Sequence, residues 1–171
     1  MKFIAELCQN HNGNFDVVKK LVDKAAESGA THIKIQHIYC ENLVYRPQFE
    51  KGLLDGKEVK AIKRPFDAEY KRLKDLELTH SECTKFVDYV NKCGLVPMTT
   101  CFARGNLKSI IDQGFKVIKV ASYDCASYQL IRELIKSFDE IFVSTGATFD
   151  NEIEFTNNLL YQNNKNCLLY T

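Results

Sequence analysis

The segments His32-Ile33-Lys34-Ile35-Gln36 and Val117-Ile118-Lys119-Val120-Ala121 decide the fold prediction, because each is typical of a buried parallel strand yet carries a lysine. A lysine is rarely fully buried unless its charge is paired. Side chains alternate between the two faces of a strand, so Lys34 and Gln36 share one face and the isoleucines share the other. If the isoleucines pack against helices, Lys34 and Lys119 point inward. They then predict a pocket for an anionic or carbonyl-bearing ligand.

Outward from these segments, short apolar runs alternate with helical patterns, which indicates βα units and a parallel sheet. Strands are predicted at residues 3–7, 32–36, 96–100, 117–121, 141–144 and 167–170. Helices are predicted at about 15–28, 67–76, 80–93, 106–113 and 127–137, with a last one starting near 150. A (β/α)₈ TIM barrel typically needs ~250 residues, so the pattern predicts an α/β chain forming roughly the first six βα units of an incomplete barrel. An open doubly wound sheet is the alternative, although no G-x-G-x-x-G follows the first strand.

Composition excludes several classes of function. The 171 residues are 45% apolar and carry a net charge of +1, which gives no electrostatic footprint for nucleic acid or an anionic membrane. No signal peptide or apolar run of membrane-spanning length is present, so we expect a cytoplasmic protein. Seven cysteines without a C-x-x-C pair indicate reduced thiols. No cysteine is assigned a catalytic role, and Cys101 is the one closest to the predicted site.

Polar residues crowd the predicted carboxyl ends of five strands, where a parallel barrel places its active site. Besides the two lysines they are Glu6, Gln36, Thr99, Thr100, Ser122, Ser144 and Thr145, followed by Gly146. Lysine charge, hydroxyl donors and a glycine turn suit an anion bearing phosphate and carboxylate groups. Glu6 could pair with a lysine, bind a hydroxyl or act as general base. Taken one at a time, these residues are better explained by a Lys34–Glu6 salt bridge and a simple Ser-Thr-Gly turn. Coincidence is the poorer explanation for five strands that all end in polar residues of this kind.

Two further features allow alternative interpretations. His11, in a turn rich in Asn and Gly, could be a catalytic acid, a metal ligand or a loop-ordering residue, and spacing favours the structural role. His32, His37 and His80 have no partner at ligand spacing and are interpreted as strand, loop and helix-cap residues. The long connection from 37 to about 78 includes a basic stretch at 57–64, which could reach a phosphate but is more simply a solvated loop face.

An ordered set of motifs resembles the sialic acid (N-acetylneuraminate) synthase family, including its legionaminic and pseudaminic acid relatives. The set begins with Ile4-Ala5-Glu6, Asn10-His11-Asn12-Gly13 and Ile33-Lys34-Ile35-Gln36. It continues with Thr99-Thr100-Cys101-Phe102, Lys119-Val120-Ala121-Ser122, Val143-Ser144-Thr145-Gly146 and Glu152-Ile153. The similarity extends over essentially the whole chain, with family-like spacing.

The resemblance implies a TIM-barrel transferase of sialic acid biosynthesis. Such an enzyme condenses phosphoenolpyruvate with an N-acetylated hexosamine, for example N-acetylmannosamine, to a nine-carbon 2-keto sugar acid and releases phosphate. Carried over by position, the phosphoenolpyruvate site would contain Lys34, Thr100, Lys119, Ser122 and Ser144. Glu6 and Gln36 would line the reacting centre and sugar pocket, giving Glu6, Lys34 and Lys119 the catalytic roles.

The resemblance also implies parts that the sequence does not contain. A divalent metal, Mn²⁺ or Mg²⁺, is expected in the complete enzyme, but Tyr170 occupies the position expected for its first histidine, so no metal ligand is assigned. Residues 1–171 would be the N-terminal part of the barrel domain, without the last strands and the antifreeze-like C-terminal domain of a homodimer. We therefore expect the chain alone to be inactive.

Two other functions remain open at this point. One is a class I aldolase that forms a Schiff base on Lys119 or Lys34. The other is a non-catalytic product, either a truncated remnant or a sugar-phosphate-binding module. The acceptor sugar is not identified, because its contacts would lie in the long second connection and beyond residue 171.

Overall fold

A six-stranded parallel sheet with helices packed on it organises the chain. In the computed structural model, residues 1–146 and 148–170 are described, and side chains are described for all of these except 60, 61 and 166–170. The strands are β1 Ile4–Cys8, β2 His32–Ile35, β3 Leu53–Asp55, β4 Glu58–Ala61, β5 Val96–Thr100, β6 Val117–Val120, β7 Glu140–Ser144 and β8 Asn166–Tyr170. The helices are α1 Phe15–Glu27, α2 Pro47–Lys51, α3 Phe66–Leu76, α4 His80–Lys92, α5 Leu107–Asp112, α6 Tyr128–Ser137 and α7 Asp150–Gln162.

Strand order follows chain order in the parallel sheet. The order is β1-β2-β5-β6-β7-β8, and every neighbouring pair is parallel. This confirms the six predicted βα strands, with boundaries within one residue. Because all strands run the same way, their carboxyl ends meet at one edge of the sheet, where the predicted site residues were expected.

The second connection contains more regular structure than its sequence indicated. The predicted helix at 67–76 is present as α3, but α2 and an antiparallel β3–β4 hairpin also form between β2 and α3. The hairpin strands are short and expose Leu53, Leu54 and Val59, so they lack the buried face that makes a strand recognisable in sequence. Gly56 turns between them with a φ of 61°.

The helix-facing side of the sheet carries the main core, as the alternation predicted. Ile33 and Ile35 of β2 and Ile118 and Val120 of β6 are completely buried in one cluster with residues of the surrounding helices. The opposite face holds a smaller cluster of Met98, Val117 and Phe142. The lysines of β2 and β6 share that second face, so the register fixes their inward direction.

Side-chain caps mark the N-termini of α1 and α4. The Asn14 side chain caps α1 by accepting bonds from the backbone of Asp16 and Val17 at 2.9 and 3.2 Å. Thr79 and Glu82 form the predicted capping box at the start of α4. Among the described residues, no helix is long and apolar enough to span a membrane.

Gly13 closes the turn between β1 and α1 against α3. Its φ is +70°, and a Cβ atom placed on it would lie 2.4 Å from the carbonyl oxygen of Asp75. Only glycine fits, because both the dihedral angle and the backbone contact exclude a side chain. Gly29 has a similar φ of +79° but nothing within 4 Å of a Cβ.

We expect Gly13→Ala to destabilise the chain more than Gly29→Ala. Gly29→Ala should cost about 1 kcal/mol for the left-handed conformation alone. Gly13→Ala should cost at least about 2 kcal/mol more, because backbone of α3 must also move. Urea unfolding of both variants measures the difference, and equal losses of stability would contradict the close contact.

Candidate active site

Lys34 is a buried ammonium group held at the carboxyl end of the sheet. Its residue is only 4% exposed. Its Nζ lies 2.6 Å from Oε2 of Glu6 on β1 and 3.4 Å from Oγ1 of Thr100 on β5. The Lys34–Glu6 ion pair that the sequence left open is therefore present. Since Glu6 is 43% exposed at its side chain, the pair is open to solvent on the carboxylate side.

A bulge in β1 aims the Glu6 carboxylate. The pairing of β1 with β2 shifts register between Glu6 and Cys8, and Cys8 has a φ of 51°. The kink allows the backbone N–H of Cys8 to donate to Oε1 of Glu6 at 2.8 Å, while Lys34 binds Oε2. Bulges commonly re-aim a side chain near active sites. Here both carboxylate oxygens are engaged and their direction is fixed.

Lys119 faces the same space from β6. It stands level with Thr100 in the register, and β5 separates its strand from that of Lys34. Burial lowers the pKa of Lys119, and the neighbouring charge of Lys34 lowers it further, while Glu6 and Asp124 act in the opposite direction. Two ammonium groups that repel each other across one strand favour an anion between them.

The remaining predicted residues lie at the same edge without joining this cluster. Gln36 follows β2, Ser122 follows β6 and Ser144 ends β7, and each is half-buried. The described residues show no hydrogen bond from the side chains of these three to Lys34, Glu6 or Thr100. Gly146 brings the turn after β7 against the turn after β6, since a Cβ on it would lie 3.9 Å from that of Ser122.

Asp124 is a site residue that the sequence interpretation missed. It lies in the turn after β6, where its Oδ1 accepts from the hydroxyl of Ser127 at 3.0 Å. Its Oδ2 is buried and has no hydrogen-bond partner among the described residues. Burial raises the pKa of this carboxyl, against the effects of Arg46 and Lys119. The sequence feature that could have identified Asp124 is its position two residues after Ser122, within a turn already assigned to the site.

Cys101 adjoins the site, but its thiol has low reactivity. It is completely buried, and its Sγ donates to the carbonyl oxygen of Ala103 at 3.4 Å. Burial raises its pKa to about 11, so the thiol stays protonated at neutral pH. A thiol in this state is a poor nucleophile, in agreement with the interpretation of the sequence.

Two buried histidines lie beside the second connection. His11 accepts a bond from the backbone N–H of Gly13 at 3.1 Å through Nδ1, so its proton resides on Nε2. The Nε2 atoms of His11 and His37 are buried and have no hydrogen-bond partner among the described residues. A nitrogen that carries a proton cannot ligate a metal, so the bond to Gly13 supports a loop-ordering role for His11.

The described side chains do not supply a metal centre. No group of three or more His, Cys, Asp or Glu residues is placed to hold an ion in that part of the chain. The side chain of Tyr170 lies outside the described residues, so the prediction made for its position stays a prediction.

His37 makes the stability of the chain depend on pH. Burial lowers its pKa from 6.5 to about 4, with Glu77 and Glu82 opposing the shift and His11 and His80 adding to it. Between pH 6.5 and about 4 the unfolded chain therefore binds a proton that the folded chain rejects. Acidification through this window destabilises the fold, by about 3 kcal/mol in total.

We expect His37→Gln to flatten the decline in unfolding free energy between pH 6.5 and 4 relative to the unsubstituted chain. The exposed His80 provides the matched control, and His80→Gln should leave most of the decline in place. Urea unfolding at several pH values measures both slopes. An unchanged slope in His37→Gln would show that His37 is not the group responsible.

Comparison with known proteins places the chain in a family. The sequence model of the NeuB family matches residues 21–171. The N,N'-diacetyllegionaminic acid synthase of Campylobacter jejuni is 26% identical over 168 residues, covering 94% of this chain and 46% of its own length. The synthase of the same name from Legionella pneumophila is 28% identical and covers 84% of this chain and 39% of its own. The chain thus spans less than half the length of these two relatives.

Solved structures identify the fold. The N-acetylneuraminic acid synthetase of Leptospira borgpetersenii superposes with a TM-score of 0.78 at 21% identity, covering 98% of this chain and 53% of its own. At that identity the similarity establishes the fold alone, which is a (β/α)₈-barrel synthase fold represented here by six strands. With the sequence match over residues 21–171, the chain belongs to the NeuB family.

Proposed function

We propose that this chain provides the phosphoenolpyruvate site of a synthase that joins phosphoenolpyruvate to an N-acetylated hexosamine. The observation that carries the proposal is the convergence of Lys34, Glu6, Thr100 and Lys119 at the carboxyl edge of the sheet. Phosphoenolpyruvate bears a carboxylate and a phosphate on the same carbon atom, so two ammonium groups separated by one strand can each bind one of them. Membership of the NeuB family and the names of the relatives support a synthase reaction.

The proposed reaction forms one carbon–carbon bond and breaks one bond to phosphate. Carbon 3 of the enolpyruvate attacks the aldehyde of the open-chain sugar, whose oxygen takes up a proton. Water adds at carbon 2, and the resulting intermediate expels phosphate to leave a 2-keto acid. Lys34 and Lys119 hold the anion, the hydroxyl groups of Thr100, Ser122 and Ser144 orient it, and Gln36 contacts the sugar.

The carboxyl groups at the carboxyl edge of the sheet carry out proton transfer in the proposed reaction. Glu6 is the proposed general base, because its carboxylate is oriented by Cys8 and half open to solvent. Asp124, whose pKa is raised by burial, is the second carboxyl available to give or take a proton. The divalent metal and the homodimer expected from the family resemblance belong to the proposal for the complete enzyme, and no described residue is assigned to either.

Binding of phosphoenolpyruvate to this chain tests the proposal directly. Lys34→Gln and Lys119→Gln should each weaken binding roughly tenfold to a hundredfold, as expected when a charge-assisted bond worth about 1.5–3 kcal/mol is lost. Lys116→Gln, an exposed lysine just before β6, is the matched control and should bind like the unsubstituted chain. Isothermal titration calorimetry measures all four proteins. Equal affinities would exclude the two lysines from the site.

Glu6→Gln separates a binding role of Lys34 from a purely structural ion pair. Glu6 forms an ion pair with the Lys34 ammonium, so its removal should strengthen phosphoenolpyruvate binding while it lowers the free energy of unfolding. A purely structural pair would lower stability without strengthening binding. Titration and urea unfolding of the same variant distinguish the two outcomes.

A class I aldolase is the second candidate, and the lowered pKa of Lys119 is the observation that favours it. A lysine that loses its proton readily can attack a carbonyl group and form a Schiff base. Borohydride treatment with pyruvate, followed by mass spectrometry, separates the candidates. A trapped adduct on Lys119 or Lys34 would support the aldolase, and an unmodified chain that still binds phosphoenolpyruvate supports the synthase.

A further inference from the structure

The turn between β1 and α1 contains the only Asn-Gly pair in the sequence, Asn12-Gly13. In such a pair the backbone nitrogen of the glycine can attack the side-chain carboxamide of the asparagine, because glycine has no Cβ to hinder the approach. Asn12 is exposed, and no hydrogen bond to the described residues restrains its carboxamide. The carboxamide is therefore free to turn and is open to water.

The reaction available to this pair is deamidation, which needs water and no other reactant. The Gly13 nitrogen forms a bond to Cγ of Asn12 and loses its proton to solvent. The carboxamide nitrogen takes up a proton and leaves as ammonia, so a five-membered succinimide ring remains. Water then opens the ring at one of its two carbonyl carbons and leaves either aspartate or isoaspartate at position 12.

The attacking nitrogen is held by a buried side chain. The backbone N–H of Gly13 donates to Nδ1 of His11 at 3.1 Å. His11 is only 1% exposed, so water does not compete for this bond. Ring closure brings the Gly13 nitrogen within about 3–3.5 Å of Cγ of Asn12 and replaces its N–H bond by a bond to carbon. The hydrogen bond to His11 must therefore break before the ring can form.

The backbone of the turn is also restrained. Asn12 and Gly13 both have left-handed conformations, with φ of 48° and 70°. The N–H of Asn14 donates to the carbonyl oxygen of His11 at 2.9 Å, which closes the turn across these two residues. On its other side Gly13 lies against the carbonyl group of Asp75. Reorientation of the peptide group between Asn12 and Gly13 therefore requires local opening of the turn.

The state of the His11 ring suits it to hold the Gly13 amide. Burial lowers the pKa of this imidazole, against the effect of Glu82, so the ring is neutral at neutral pH. A neutral ring can keep Nδ1 as an acceptor, whereas the imidazolium donates from both nitrogens. Nε2 has no partner among the described residues, so the bond from Gly13 is the polar contact that the ring makes in that part of the chain.

We propose that Asn12 is a site of spontaneous deamidation, and that His11 slows the reaction by holding the Gly13 N–H away from the Asn12 carboxamide. The proposal goes beyond the synthase function, because the reaction uses no substrate. Its two products differ in their effect on the fold. Aspartate keeps the length of the main chain, whereas isoaspartate adds a methylene group to a turn that is fitted against α3. The isoaspartate form should therefore be less stable to urea than the aspartate form.

Incubation of the folded chain at neutral pH, followed by peptide mapping with mass spectrometry, tests the proposal. The urea-unfolded chain gives the unrestrained rate at Asn12, and the folded chain should react more slowly. His11→Ala should raise the rate in the folded chain roughly threefold to tenfold, as expected for the loss of one hydrogen bond. His37→Ala is the matched control, because it removes a neighbouring buried imidazole that has no bond to Gly13, and it should react at the unsubstituted rate.

Each of the other results would overturn the proposal. An unchanged rate in His11→Ala would show that the bond to Gly13 does not restrain the reaction, and a lower rate would show that His11 promotes it as a base. An equal acceleration in His37→Ala would assign the effect to general loosening. Absence of aspartate and isoaspartate at position 12 in the urea-unfolded chain would refute the site itself. Urea unfolding of each variant identifies conditions under which the reacting chain is folded.

Discussion

The cost of burying the Lys34 ammonium is the constraint on which the site depends. A buried charge of this kind persists only with partners, and Lys34 finds them on the strands at either side, in Glu6 and Thr100. The register of β1, β2 and β5 brings both partners to Lys34, and a bulge in β1 directly follows Glu6. The surrounding isoleucines supply the apolar surface that holds the sheet to its helices. The same strands therefore supply the core on one face and the candidate site on the other.

The second connection has a different physical character from the rest of the chain. Its short helix and hairpin bury little apolar surface, and a polar contact from the backbone N–H of Phe66 to Glu50 joins the short helix to α3. The sheet beneath is held by extensive burial. Segments of low burial change shape more easily than a packed core. The proposed anion site on the sheet therefore lies beside a wall that is less tightly packed.

The sequence allowed the sheet and the lysines to be predicted, because both follow from strong periodicity. Alternation within 32–36 and 117–121 placed Lys34 and Lys119 inward, and the structure has them there. The hairpin was not predicted, since its strands have no buried face to create a pattern. Asp124 was missed because its character comes from burial, which a turn sequence does not reveal. The Glu6 ion pair could be named only as one of several possibilities, because its choice depends on a bulge that no local signal marks.

The two contacts of the Glu6 carboxylate, with the N–H of Cys8 and with the Lys34 ammonium, bear on the order of events in the proposed reaction. In the proposed reaction, an incoming anion competes with that carboxylate for the Lys34 ammonium, so its binding would release Oε2 of Glu6. The carboxylate would remain oriented by the N–H of Cys8, which donates to its other oxygen, Oε1. In the proposed reaction, binding of the first reactant would therefore separate the general base from its counter-ion.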